Sequence, residues 1–258
     1  MNPNKLKCIR YMALLLSFFS LYHLSAKAQD PQFKALIFSK TEGYRHKSIP
    51  DGIQALKLLA QKHVFEVYAT EDASIFSEEG LDDFDLVILL NTTGDILNEK
   101  QQIAFEKFVQ SGKGVVGIHS ATDTEYEWEW FNKMIGSQFK NHPAQQTAQI
   151  KVKNNNHPAS YHLPENWLWT DEWYAFKNFN DQVRVLLELN EETYDPGTKD
   201  ENPMGMGKFH PISWYHHFDG GRIFYTALGH VKSAYEDEIF LKHVYGGIWW
   251  AAKGYPMD

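Results

Sequence analysis

Cysteine is almost missing from this chain: Cys8 stands alone, close to the amino terminus. A disulfide framework, a cysteine zinc site and a thiolate nucleophile in the body of the protein are thereby excluded. Basic charge is also in short supply, with 25 Lys and Arg against 33 Asp and Glu. That balance argues against a nucleic-acid partner, which requires a basic face. No membrane span is expected either, because the apolar run Met12 to Leu24 is too short and wrongly flanked. Internal repeats and the composition of a disordered chain are absent too.

What is present suits a globular protein. The 258 residues are 43% hydrophobic and 15% aromatic, enough for one domain with a sizeable core, or one domain carrying a large insertion. The first 28 residues read differently: Lys5, Lys7 and Arg10 precede the apolar run, and Ala26-Lys27-Ala28 forms an A-x-A cleavage site. This is the pattern of a secretory signal peptide, residues 1–28, followed by a single domain, residues 29–258. Cys8 precedes the apolar run, so it is not a lipid-attachment cysteine. Cleavage after Ala28 leaves no cysteine and 21 basic against 33 acidic residues, a net charge of −12. The expected destination is outside the cytoplasm, a bacterial periplasm or full secretion.

From Phe33 onward the text alternates strand and helix. Phe33–Phe38, Val64–Tyr68, Phe84–Leu90 and Gly114–Ile118 read as strands, and the unbroken apolar run Phe84–Leu90 suits one buried on both faces. Between them, Ser48 is placed to cap a helix carrying Ile53, Leu56 and Leu59. Asn98 with Gln101 forms a capping box for a second helix, and a third is expected from about Asp123 to Ile135. Such alternation predicts a doubly wound α/β sheet that binds ligands at the carboxyl ends of its strands. The text then becomes irregular from Gly136 to Phe209, which we read as additions on the sheet's rim with strands at Gln146–Val152 and Val183–Leu189. A hairpin, Ile212–Phe218 and Arg222–Leu228 around Asp219-Gly220-Gly221, and a last helix from about Asp237 to Ala252 close the chain.

The chemistry candidates cluster where strands end. Gly117-Ile118-His119-Ser120-Ala121 has the small-x-Nu-x-small pattern of a nucleophile elbow, with histidine in the central place. A histidine there can act as acid, base or metal ligand, and Ser120 is the alternative nucleophile, displaced by one residue. His46, beside Arg45 after the first strand, and His230 after the strand Arg222–Leu228 belong to the same rim. His142, in His142-Pro143, is the His-Pro histidine best placed to face it. Asp171 and Glu172 are adjacent and point to opposite sides if extended, so one site cannot easily use both. Asp123 and Asp171 are candidates to fix a tautomer or bind hydroxyls. Trp173, Tyr174 and Trp214 are candidates to stack on a sugar's C–H face. No cofactor is required by the sequence. A divalent metal on some of His46, His119, His142 and His230 stays open, although no HExxH-type motif supports it.

Several of these segments together carry a resemblance. Thr41-Glu42-Gly43-Tyr44-Arg45-His46, Asn91-Thr92-Thr93-Gly94-Asp95, Gly117 to Thr124, Asn141-His142-Pro143, Thr170 to Tyr174, His210 to Trp214 and Leu228-Gly229-His230 resemble, in order, the ThuA-like (trehalose utilisation) family. The likeness runs from about Lys34 to Lys253. It implies the class I glutamine amidotransferase-like fold, a flavodoxin-like three-layer α/β sandwich with a mainly parallel sheet. It also implies a place in carbohydrate metabolism, with a glycoside or its 3-keto derivative as substrate. Amidotransferases carry cysteine at the elbow where this chain has His119, so glutaminase activity is not implied.

The expectation is therefore an exported carbohydrate-utilisation enzyme, a hydrolase, lyase or isomerase without a cysteine nucleophile. His119 would serve as acid/base with His46 or His230 as partner and Asp123 in support. His142, Asp171, Glu172, Tyr174, Trp214 and Arg45 would bind a small-molecule saccharide. A non-catalytic saccharide-binding module and a metal-dependent hydrolase are the competing readings, and the oligomeric state is left open.

Overall fold

The computed structural model describes residues 29–199 and 202–254, so the proposed leader lies outside the described residues. The strands are β1 (Lys34–Phe38), β2 (Glu66–Thr70), β3 (Leu86–Leu90), β4 (Gly114–Ile118), β5 (Gln138–Asn141), β6 (Gln146–Val152) and β7 (Asn166–Asp171). They continue as β8 (Ala175–Lys177), β9 (Arg184–Asn190), β10 (Thr198–Lys199), β11 (Asn202–Pro203), β12 (Pro211–Phe218) and β13 (Gly221–Thr226). The helices are α1 (Ile49–His63), α2 (Glu78–Asp82), α3 (Glu99–Gln110), α4 (Glu129–Ile135) and α5 (Glu238–Lys253).

Nine strands form one sheet in the order β2-β1-β3-β4-β13-β12-β9-β6-β7. The first five are mutually parallel, and the last four are added antiparallel. The 2-1-3-4 start is the flavodoxin-like order, whose switch point lies between β1 and β3. Its central strands β3 and β4 are buried at every position, because helices cover both faces and continuous apolar runs meet that demand. Parallel pairing brings the carboxyl ends of β1, β3, β4 and β13 to one edge. Isolated bridges Thr41–Thr93 and Gly94–Thr124 carry the parallel pairing past the strand ends.

Local chemistry explains most boundaries. The Asn98–Gln101 capping box forms as expected, which satisfies otherwise orphan N–H groups at the start of α3. Asp219 and Gly220 both take positive φ in the two-residue hairpin turn, the requirement of a type I′ turn. α5 packs on β13, β4 and β3 and ends at Gly254 in the left-handed conformation. Among the described residues, no helix is long and apolar enough to cross a membrane.

Three expectations change. The segment after β4 is first a 3₁₀ turn, His119–Asp123, and α4 starts only at Glu129; Thr122 bonds to Tyr225 on β13, and Thr124 and Glu125 bond to the loop after β3, instead of extending a helix. Ser48 makes no side-chain cap; its hydroxyl donates to the Gly229 carbonyl at 3.3 Å and accepts from Asn91 Nδ2 at 3.2 Å. The irregular region is not confined to the rim: β6, β7 and β9 extend the main sheet itself.

Candidate functional site

The carboxyl edge gathers residues far apart in sequence. β4 ends at Ile118, and His119 follows with φ of 51°, a left-handed turn that costs a non-glycine residue energy. Close packing makes the turn tight: a Cβ on Gly117 would lie 2.5 Å from Ile135 Cδ1 and 3.1 Å from the Ala121 methyl. The small residues on either side of His119 are thus the ones that fit, as in an elbow. Tyr225 Oη donates to the His119 carbonyl at 2.7 Å and fixes the turn from β13.

The His119 ring is enclosed, with no exposed side-chain surface. Its Nδ1–H donates to the Ala227 carbonyl at 2.7 Å, which turns Nε2 toward the rest of the group. That atom lies 3.3 Å from His230 Nδ1 and 3.6 Å from Glu172 Oε2. His230 Nδ1 is itself 3.3 Å from Glu172 Oε2. His46, buried in the loop after β1, meets His119 and His230 edge-on, with ring centroids 4.7 and 5.2 Å away. His46 Nδ1 lies 3.3 Å from Ser120 Oγ, and Ser120 is itself fully buried. One donor atom from each of His46, His119, His230 and Glu172 lies within 4.8 Å of the others, a group that could hold a metal ion.

His142 stands outside that group and nearer to solvent, with 38% of its side chain exposed. Its Nδ1 lies 3.1 Å from Glu172 Oε1 and 2.8 Å from the Pro143 carbonyl. Both are acceptors, so Nδ1 carries the hydrogen and Nε2 is left as the basic nitrogen. Glu172 therefore joins two subsites, one oxygen facing the buried imidazoles and the other facing His142. Tyr174 closes one wall, its ring 4.3 Å from that of His119 and 5.8 Å from that of His142. The Tyr174 carbonyl is held by His210 Nε2 at 2.8 Å, while His210 Nδ1 meets Glu191 Oε1 at 2.7 Å.

Asp171 ends β7, Glu172 follows it outside the strand, and both carboxylates reach His230: Asp171 through its backbone N–H and Glu172 through its ring. The Asp171 carboxylate is fully buried and accepts four N–H groups: Trp169 Nε1 at 3.0 Å, Glu172 N at 2.9 Å, Gly229 N at 2.9 Å and His230 N at 3.1 Å. It fixes the backbone of the 229–230 turn. Gly229 takes φ of +112°, and a Cβ there would sit 2.8 Å from Tyr235 Oη. Asn91 Nδ2 and Tyr235 Oη also reach the Gly229 carbonyl.

Burial and neighbours set the charges. Burial, then the proximity of His119 and His230, lowers His46 to about 3, so its imidazole is neutral. Burial alone would raise Glu172, but hydrogen bonds and charge from His119 and His230 hold it well below the usual carboxylate range. His230 is pulled down by burial, yet the Glu172 carboxylate raises it overall. Asp123 is raised by burial, offset in part by the Tyr126 hydroxyl that donates to it at 2.6 Å and by nearby His119 and His142. Burial and the Glu172 charge raise Tyr174, which stays protonated.

The fold thus assembles His46, His119, His142, His230, Glu172 and Tyr174, with Asp123 adjoining them. Four residues named from the sequence lie elsewhere in role or place. Asp171 supports the turn from behind. Trp214 is fully buried in the core and donates to the Ile135 carbonyl at 2.9 Å. Arg45 is exposed and pairs with Glu71 at 2.6 Å. Trp173 is likewise core, its indole N–H on the Gln146 carbonyl. Sequence reasoning did not single out Tyr44, 61% exposed beside His46 at 4.9 Å, nor Asn91 and Tyr235 beneath the turn. Asn91 follows an apolar strand directly and so had a positional signal; Tyr235 had none. A groove of about 1020 Å³ between α4 and Phe218 does not include the histidine group; the convergence of donors, and not cavity size, marks the site.

The comparisons agree with this architecture. The structure is similar to a ThuA-like protein from Bacteroides uniformis, at 26% identity with a TM-score of 0.73, covering 89% of this chain and 95% of that one. A ThuA-like protein from Parabacteroides merdae matches at 22% identity and a TM-score of 0.70, over 89% of this chain and 92% of that one. A β-galactosidase from Bacillus circulans shares the fold alone, at 13% identity and a TM-score of 0.55, over 87% of this chain and 31% of that one. No curated protein matches the chain. The family model described as trehalose utilisation matches residues 34–251, nearly all of the nine-stranded unit and every residue of the histidine group, and the chain therefore belongs to the ThuA family, with its glutamine amidotransferase-like fold.

Proposed function

We propose that this protein is an exported enzyme of carbohydrate utilisation that acts on a glycoside or a 3-keto-glycoside. The observation that carries the reading is the convergence of His119, His142 and His230 on Glu172, with His46 packed against two of them, at the carboxyl edge of the sheet. Family membership supports a carbohydrate role. Export rests on the leader pattern of residues 1–28.

A carbonyl at C3 of a sugar makes the neighbouring C2–H acidic. Removing that proton lets the C2 electrons form a C1=C2 bond while the C1–O glycosidic bond breaks, and the departing oxygen takes up a proton. His142 Nε2 suits the base, because Glu172 and the Pro143 carbonyl orient the ring through Nδ1. Enclosed His119 is less suited to that task, since its Nε2 faces the other imidazoles. Asp123, which keeps its proton to higher pH than an ordinary carboxyl, suits the acid. The buried imidazoles and the Tyr174 hydroxyl supply a preorganised polar wall for the keto oxygen, and exposed Tyr44 offers a face for the sugar ring.

The test is a turnover screen of purified protein on native and 3-keto disaccharides, followed by NMR with and without added divalent metal. Conversion of a 3-keto substrate that His142→Ala slows supports the reading. Unchanged substrates under all conditions overturn it, and saturable sugar binding without turnover replaces it with a binding module.

A further inference from the structure

We propose that His46, His119, His230 and Glu172 bind one divalent transition-metal ion of the zinc type. This goes beyond the sugar reading and stands whatever the substrate is. The first argument is the spacing inside the group. His119 Nε2, His230 Nδ1 and Glu172 Oε2 are separated by 3.3, 3.3 and 3.6 Å. A tetrahedron with metal–ligand bonds of about 2.0–2.1 Å has edges of about 3.3 Å. Charge-assisted hydrogen bonds between the same groups would be shorter, about 2.7–2.9 Å.

The contacts that hold the group from outside show the opposite pattern. His119 Nδ1 meets the Ala227 carbonyl at 2.7 Å, and Asp171 takes the Gly229 and His230 N–H groups at 2.9 and 3.1 Å. Short bonds anchor His119 and His230 from outside, and longer gaps separate their donors from each other and from Glu172, so these donors are held to face a common centre rather than one another. The His119 bond is also the usual outer-shell device for metal-binding histidine, because it fixes the tautomer that leaves Nε2 free. His46 completes the set edge-on, at 88° to His119 and 89° to His230, so it is not stacked against them. Three imidazoles with one carboxylate suit zinc and its first-row neighbours, whereas calcium and magnesium favour all-oxygen shells. Glu172 would bind through Oε2 and keep Oε1 for His142.

The test uses untagged full chain, with the leader removed if it is cleaved. Elemental analysis and calorimetry with ZnCl₂ should give one ion per chain. Co²⁺ loading should give the intense visible absorption of a four-coordinate N₃O site. Glu172→Gln, nearly isosteric, and His119→Ala should each weaken Zn²⁺ binding beyond the about 10–100-fold typical of losing an outer-shell partner. His142→Ala should leave the stoichiometry at one. Circular dichroism checks that each variant is folded, and the wild-type cobalt spectrum does not depend on any variant. No binding by folded wild type, or wild-type affinity in both ligand variants, overturns the proposal. A filled site with no turnover of any sugar would count against the proposed function alone.

Discussion

Replacing Asp171 by Asn tests how the site is held together. The wild-type carboxylate is buried and accepts four N–H groups, two of them from the backbone of Gly229 and His230. Asparagine keeps one acceptor oxygen and presents an NH₂ in place of the other, which accepted two N–H groups, either Trp169 Nε1 and Gly229 N or Glu172 N and His230 N. At least one buried donor pair then faces a donor. Hydrogen bonds to a charged group contribute about 1.5–3 kcal/mol each, and an unsatisfied buried donor costs about 1–3 kcal/mol. Loss of the buried charge recovers part of this, so the net expectation is a destabilisation of about 3 kcal/mol. In a domain of this size that corresponds to about 6–12 °C in Tm. Urea unfolding followed by circular dichroism measures it. The Asp171→Asn protein should also bind Zn²⁺ more weakly, because the His230 backbone is no longer fixed. A variant within about 0.5 kcal/mol of wild type, the scatter of ordinary surface changes, would refute the claim that this carboxylate organises the turn.

Other predictions follow from single contacts. Gly229→Ala should lose about 2 kcal/mol or more in urea unfolding, because φ of +112° is strained for alanine and its Cβ would press on Tyr235 Oη; wild-type stability would show that the turn relaxes freely. His142→Ala should lower kcat on a 3-keto substrate by about 10²–10⁴-fold with metal content unchanged, and an unaffected kcat would remove His142 from the chemistry. Burial holds His157 at about 3 and His243 at about 4, with a neighbouring histidine also lowering His157 and the Ala159 carbonyl partly opposing the shift in His243. Their unfolded forms titrate near 6.5, so below that pH the unfolded chain binds the additional protons and stability falls down to about pH 4, by up to about 1.4 kcal/mol per pH unit per group. His157→Asn keeps an acceptor for the Ala159 N–H and removes one titration. The decline in unfolding free energy between pH 6.5 and 4 should be shallower in that variant, and an unchanged slope would contradict the assignment.

Much of this arrangement could be read from the chain, for definable reasons. β3 and β4 are unbroken apolar runs, and the Asn98–Gln101 box and the Asp219-Gly220 turn are local signals that tertiary structure did not override. The histidines at 46, 119 and 230 were legible because each directly follows a strand or its loop, and parallel topology sends those ends to one edge. The sequence expectation that one site could not easily use both Asp171 and Glu172 missed that each reaches His230, one at its backbone and one at its ring. What stayed hidden depends on pairing between distant segments. Nothing local shows that β6, β7 and β9 join the central sheet, or that Glu172 links His142 to the buried imidazoles. Ser48 looked like a helix cap because its position fits one; its hydroxyl is instead used by Gly229, 181 residues away. Aromatic residues gave the weakest signal: Trp173, Trp214 and Tyr174 look alike in sequence, and only Tyr174 faces the site.

The most direct measurement is anomalous diffraction at the zinc edge from crystals of the zinc-loaded protein. The account predicts a single strong peak enclosed by His46, His119, His230 and the Oε2 side of Glu172, at about 2.0–2.2 Å from each donor, with His142 outside the coordination sphere. Rings dispersed along the edge of the sheet, or a peak bound at surface histidines such as His162 and His217, would contradict it.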